Sequence, residues 1–191
     1  MTWLVVGLGN PGDQYTSTRH NVGQMVIDAL VLRRSLKLTS HKSRTEIAAY
    51  KLGLDENSHS IILAKSKGFM NETGGPVKAL SNFYSVDTEN IIVLHDELDI
   101  SFSAIRTKFG GGDNGHNGLK SMTSAFGTSE YYRVRLGIGR PVGTQDPADF
   151  VLKAFSKVEQ KDLSEFISRG ADVVESLITH GLDLTQTRFN S

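Results

Sequence analysis

The sequence predicts an α/β fold, a single domain over residues 1–191 in which a central mixed β-sheet is flanked by helices. Strand-like and helix-like patterns alternate along the whole chain, with no linker, internal repeat or low-complexity tract. The run Ile91-Ile92-Val93-Leu94 is apolar at every position, as in a strand covered on both faces. A chain of 191 residues with 38% hydrophobic content can also bury one core unaided.

Taken in order, residues 2–7 form an apolar, β-branched strand, and a polar, glycine-bearing loop then leads to Arg19. Val22, Met25, Val26, Ala29, Leu30 and Arg33 recur at three- and four-residue spacing, which predicts a helix over 21–35 with Asn21 as its cap. Strands follow at 45–52 and 60–65, and the turn-prone Asp55-Glu56-Asn57-Ser58 makes them antiparallel neighbours. A helix from Thr73 to Tyr84 rests on Val77, Leu80 and Phe83, with Pro76 tolerable in the first turn. The strand starting at Ile91 delivers His95, Asp96 and Glu97 to its C-terminal end, where open α/β sheets hold their ligands.

A strand at 103–109, the glycine-rich loop Gly110–Gly115, a helix from Asn117 to Ala125 and a strand from Tyr132 to Ile138 continue the alternation. Asp146-Pro147-Ala148-Asp149 opens a short helix to Leu152, and a last helix at 157–179 stops at Gly181. The segment 142–156, with Gly143 as a hinge, is a candidate lid.

Composition removes several function classes. The chain has no cysteine, so it holds no disulfide, thiolate nucleophile or Cys-ligated zinc, and a reducing cytoplasm is its expected home. The N-terminal run meets Gly7 at once and reads as a strand rather than a secretory signal. No apolar run nears the ~20 residues that span a bilayer. Net charge is zero, which argues against bulk coating of nucleic acid. Between Ser101 and Gln145, however, Arg106, Lys108, Lys120, Arg133, Arg135 and Arg140 oppose only Asp113 and Glu130, a local excess suited to an anion.

Gly7-Leu8-Gly9-Asn10-Pro11-Gly12 matches the glycine pattern of dinucleotide-binding loops. In those loops the helix starts at the glycines and its N–H groups reach the pyrophosphate, whereas here Pro11 removes a donor and a further loop intervenes. An oxidoreductase is therefore the weaker alternative. His20 ends a polar loop, and a neutral imidazole suits general-base work if an acceptor holds its other nitrogen. Asp96 is a candidate for that acceptor. With His95, Glu97 and Asp99 beside it, the same segment also suggests a metal site, while Asp96 and Glu97 as a glycosidase pair would point to opposite strand faces. Asn10, Asn21, Asn71 and Asn117 lie in the same loop and helix-start contexts, and an amide can hold an ester or a water without competing for the proton. No Gly-x-Ser-x-Gly elbow supplies a serine nucleophile, so attack by water is simpler.

Five segments carry a resemblance. They are Gly7–Gly12 with Tyr15 and Thr18-Arg19-His20-Asn21; Lys65 with Phe69-Met70-Asn71 and Thr73-Gly74; His95-Asp96-Glu97-Leu98-Asp99; Gly110–Gly112 with Gly115-His116-Asn117-Gly118-Leu119-Lys120; and Arg133–Pro141. In that order they resemble the signatures of the bacterial-type peptidyl-tRNA hydrolase family. The matching segments span residues 4 to 141, and the resemblance implies a metal-independent, cofactor-free esterase acting in the cytoplasm as a monomer on tRNA that carries a peptide. It implies that His20 activates water and Asp96 orients it. It further implies that Asn10 favours substrates with a blocked amino group, that Tyr15, Phe69, Asn71 and Asn117 line the peptide and 3′-end channel, and that Lys108 and Arg135 meet tRNA phosphate. A non-catalytic RNA-binding module using the basic segment alone is the third reading. The chain departs from the family pattern at Ser66, at Thr73 and in the turn Ile100-Ser101-Phe102-Ser103.

Overall fold

A computed structural model of the protein describes residues 1–190. Seven strands, β1 (Thr2–Gly7), β2 (Thr39–His41), β3 (Thr45–Leu52), β4 (His59–Ser66), β5 (Ile91–Glu97), β6 (Ile105–Phe109) and β7 (Tyr132–Gly137), form one sheet in the order β2-β3-β4-β1-β5-β7-β6. The four central strands are parallel, while β2, β3 and β6 pair antiparallel with their neighbours, so the sheet is mixed. The helices are α1 (Val22–Arg33), α2 (Gly74–Tyr84), α3 (Asn117–Phe126), α4 (Pro147–Val151), α5 (Lys157–His180) and α6 (Leu182–Phe189).

Pleating sends Trp3, Val5, Ile92, Leu94, Val134 and Leu136 to one face, against Val26 and Ile27 of α1 and Phe166 and Val174 of α5. Leu4, Val6, Ile91 and Val93 point the other way, against Val77 and Leu80 of α2 and Leu119 and Met122 of α3. Cover on both sides explains the unbroken apolar runs, and each such side chain contributes about 1.5–3 kcal/mol when fully buried. The strands are thus a stiff platform for the loops at their ends.

From β1 the chain turns towards β2–β4, whereas from β5 it turns towards β6 and β7, so the two halves diverge at the β1–β5 boundary. A crevice forms above the carboxyl ends of parallel strands at such a point. Glycines at the end of β1 and in α1 serve packing here. A Cβ on Gly23 would lie 2.3 Å from the Leu94 carbonyl oxygen, and one on Gly7 would lie 2.5 Å from the Gly23 carbonyl oxygen. Their absence lets α1 rest directly on β1 and β5.

Several local expectations are corrected. Asn21 makes no side-chain cap to α1 and instead laces the first loop, as described below. The helix ends at Arg33, because Ser35 takes a left-handed φ of 51°. β6 starts at Ile105 rather than 103, since Ser103 turns the chain with φ 73°. β2 is too short, at three residues, to show a period. Helix α5 starts with a capping box between Ser156 and Glu159, and beyond Gly181 the chain forms α6, which the sequence reading ends without. α6 lies along β6: Gln186 Nε2 donates to the Thr107 carbonyl at 2.9 Å, and Asn190 Oδ1 accepts from the Thr107 N–H at 3.0 Å.

Candidate active site

His20 sits in a 3₁₀ turn, Arg19–Asn21, just ahead of α1. Its Nδ1 lies 2.9 and 3.0 Å from the two carboxylate oxygens of Asp96, which is buried at the C-terminal end of β5. His116 Nε2 reaches Asp96 Oδ1 from the other side at 2.7 Å. The ring of His116 also caps α3, its Nδ1 accepting from the N–H of Gly118 at 3.1 Å and of Leu119 at 3.4 Å. Because Nδ1 accepts, the His116 proton sits on Nε2 and points at Asp96. Asp96 therefore receives donors from two imidazoles.

The electrostatics follow from this clustering. Burial opposes charge on His20, but attraction to the Asp96 carboxylate and their hydrogen bond outweigh it, leaving the imidazole above its ordinary pKa. Burial likewise opposes ionisation of Asp96, yet His20 and then His116 hold the carboxyl well below the usual range. His95 behaves differently: burial and then His116 push it down to about 3, so it stays neutral, with Nδ1 donating to the Asp96 backbone carbonyl at 2.9 Å. Ligand atoms of His20, Asp96 and His116 all lie within 4.8 Å of one another, so this trio, rather than the His95–Asp99 segment, is where a metal ion would find ligands among the described residues.

With Nδ1 committed to Asp96, His20 also lines a cavity of about 450 Å³, together with Asn10, Phe69, Asn71, Asp96, Asn117, Leu152 and others. Asn10 is held on three sides. Its backbone N–H donates to Asn21 Oδ1 and its carbonyl accepts from Asn21 Nδ2, both at 2.9 Å, and its own Oδ1 accepts from the Met70 N–H at 2.8 Å. The Asn10 amide nitrogen is left as a donor. Phe69 is half exposed at the cavity wall. Tyr15 is not in the lining; it stands edge-on to Phe69 with ring centroids 6.3 Å apart. Pro147, Ala148, Val151 and Leu152 from the 142–156 segment form the opposite wall. That wall is tied down, as Arg19 Nη2 bonds Glu159 at 2.8 Å, its guanidinium lies 4.0 Å over Phe150, and its N–H donates to the Lys153 carbonyl at 3.0 Å.

A family model described as peptidyl-tRNA hydrolase matches residues 4–191. The chain belongs to that family. It is 52% identical to the peptidyl-tRNA hydrolase of Frankia alni over 189 residues, covering 99% of this chain and 94% of that protein. Identity to the Streptomyces coelicolor peptidyl-tRNA hydrolase is 50% over 191 residues, covering 99% and 95%. A crystal structure of peptidyl-tRNA hydrolase from Acinetobacter baumannii superposes with a TM-score of 0.89 at 30% identity, covering 100% of this chain and 95% of that one. No helix among the described residues is long and apolar enough to cross a membrane.

Two cations that the peptidyl-tRNA hydrolase resemblance singles out, Lys108 and Arg135, lie outside the cavity on β6 and β7. The register sets Arg106 opposite Arg135 and Lys108 opposite Arg133, like charges that repel unless something neutralises them. Arg133 is fully buried and holds the carbonyls of Gly111 and Gly112, so it belongs to the loop and not to a basic surface. Arg140 pairs with Asp99. The accessible excess is thus smaller than the sequence count and centres on Arg106, Lys108 and Arg135. Burial, followed by Arg135 and Arg133, pushes the Lys108 ammonium below its ordinary pKa.

His116 is the site residue that sequence reasoning passes over. It stands inside the Gly115–Lys120 motif, but nothing there distinguishes a cap from a partner of Asp96; only the fold brings it to the carboxylate. The departures have local uses: Ser66 Oγ accepts from the Gly68 N–H at 3.0 Å, and Thr73 Oγ1 donates to the Met70 carbonyl at 2.9 Å, both bracing the loop that carries Phe69 and Asn71.

Proposed function

We propose that this chain hydrolyses the ester between a peptide and the 3′ end of tRNA with His20 as general base. The observation that carries the reading is the placement of its ring: Nδ1 is committed to buried Asp96, Nε2 has no partner among the described residues, and the ring lines a cavity shared with asparagine amides. With the proton on Nδ1, Nε2 has a lone pair to take a proton from water as the water attacks the ester carbonyl. The side chains of Asn71 and Asn117 have no hydrogen-bond partner among the described residues and line the same cavity, which suits them to donate to the developing oxyanion. His20 then returns the proton to the departing ribose oxygen, giving a free peptide acid and intact tRNA.

Asn10 supports a preference for blocked amino groups. With its oxygen occupied by Met70, it offers N–H donors, which match the carbonyl of an acylated amine and oppose a free ammonium. Neutralisation by phosphate would relieve the like-charge pairing on β6–β7, which supports tRNA contact at Lys108 and Arg135. We take the reaction to be free of metal and cofactor, because the proton on His116 Nε2 occupies the direction a cation would need. The enzyme is read as one cytoplasmic domain acting as a monomer, which light scattering of the purified protein would check.

The test compares matched N-acetylated and free aminoacyl-tRNA in the presence of a chelator. The blocked ester should be cleaved much faster and the chelator should change nothing. Asn10→Asp should narrow the preference by pairing with the ammonium, whereas Asn10→Ala should mainly slow the blocked substrate. Equal rates for the two wild-type substrates would refute the specificity, and loss of activity in chelator would replace the metal-free mechanism with one built on His20, Asp96 and His116.

A further inference from the structure

Asn114 stands in the loop between β6 and α3 with a left-handed φ of 48°, a conformation that glycine adopts freely and asparagine tolerates. Its amide nitrogen uses both hydrogens, donating to Glu97 Oε1 at 2.8 Å and to Asp99 Oδ2 at 2.6 Å. Glu97 is buried, and such bonds to carboxylates are about twice as strong as neutral ones. Each carboxylate also meets a cation, Arg135 Nη2 at 3.4 Å from the same Glu97 Oε1 and Arg140 Nε at 2.7 Å from Asp99 Oδ1. Between Asn114 and His116 the turn is tight. The His116 N–H donates to the Asp113 carbonyl at 2.9 Å, and the Gly115 N–H donates to Asp113 Oδ1 at 2.9 Å.

The loop therefore meets the end of β5 twice within three residues, through Asn114 to Glu97 and Asp99 and through His116 to Asp96. Upstream, Arg133 holds the carbonyls of Gly111 and Gly112, but Gly110, Gly111 and Gly112 have no side chains of their own to reach β5. We infer that Asn114 is a positioning residue for the reaction, holding the glycine-rich loop at the height where His116 meets Asp96 and Asn117 faces the cavity. The inference rests on the reading that Asp96 orients His20, and adds what keeps that carboxylate itself in place.

Asn114→Gly removes both side-chain bonds while leaving the left-handed backbone relaxed, so the protein should fold with a near-native Tm. Its kcat on N-acetylated aminoacyl-tRNA should fall about ten- to a hundredfold with KM changed less than about twofold, as expected when a reacting group is misplaced. By NMR, the His116 Nε2 proton should exchange with solvent faster than in wild type. Asn114→Asp keeps the backbone preference but sets a third carboxylate against Glu97 and Asp99, and should lose more than the glycine variant. Wild-type kcat and an unchanged His116 proton in Asn114→Gly would overturn the inference, as would a loss confined to KM. Should His20→Ala prove active while Asn114→Gly still frees the His116 proton, the base assignment fails and the positioning role stands.

Discussion

In the proposed mechanism His20 and Asp96 form one unit, but replacing each should fail differently. His20→Ala removes the proposed base from a polar turn outside the core, so ester cleavage should drop by about 10²–10⁴-fold with Tm and tRNA binding nearly unchanged. Near-normal turnover would remove the mechanism. For wild type, the carboxylate raises the His20 pKa, and a general base at this position works only when neutral, so the acid limb of kcat/KM should lie above the ordinary histidine value. Asp96→Asn leaves burial without its opposing carboxylate, with the His116 N–H as the other group facing that position. The limb should then move to lower pH, while the plateau falls because the imidazole loses the partner that fixes its tautomer. A limb that stays in place would mean that Asp96 does not set the charge on His20. The pairing of His20 with Asp96 was legible because the two end a loop and a strand, positions that composition and periodicity expose. His116 and Asn114 were not, since their partners lie on β5, and no local pattern encodes a distance across the sheet.

At the scale of elements, β6 and β7 form a two-stranded edge with Arg106, Lys108, Arg133 and Arg135 on one face. Arg133 is satisfied by the protein's own carbonyls and Arg135 meets Glu97 at 3.4 Å, while Arg106 and Lys108 have no ion pair among the described residues and stand ready for an anion. Lys108→Ala and Arg135→Ala should each weaken tRNA binding and lower the slope of log K against log salt by about one, as for loss of one phosphate contact. Cleavage of a minimal substrate lacking most of the tRNA should be spared for Lys108→Ala. An unchanged slope in both variants would put the tRNA elsewhere. Arg135 also touches Glu97, so its replacement can reach the Asn114 loop as well, and comparing the two variants separates binding from positioning. The candidate lid is an element whose character the sequence conceals: Gly143 does take a positive φ of 77°, but Arg19 anchors the far end of the segment through Phe150, Lys153 and Glu159.

For the molecule as a whole, the class of fold and the central strands were readable because two-sided burial writes itself into continuous apolar runs such as Ile91–Leu94. What escaped lies at the periphery. β2 is three residues long, and α6 has the sequence Leu-Asp-Leu-Thr-Gln-Thr-Arg-Phe, which offers little apolar stripe: Leu182 and Phe189 pack on the core, Thr185 meets Ser176 of α5, and polar contacts run to Thr107. Those contacts bear on how the protein behaves at high concentration. A sheet that is not closed has two open edges, each able to recruit another chain. One edge here is blunted by the brevity of β2, and the other is occupied where Gln186 and Asn190 take both backbone groups of Thr107. Cutting the chain after Gly181 would leave every proposed catalytic residue in place and uncover that template. The truncated enzyme should start out active and then form β-rich aggregates that thioflavin T detects, at concentrations where the full chain stays clear; a truncated protein that remained equally soluble would mean that α6 guards nothing.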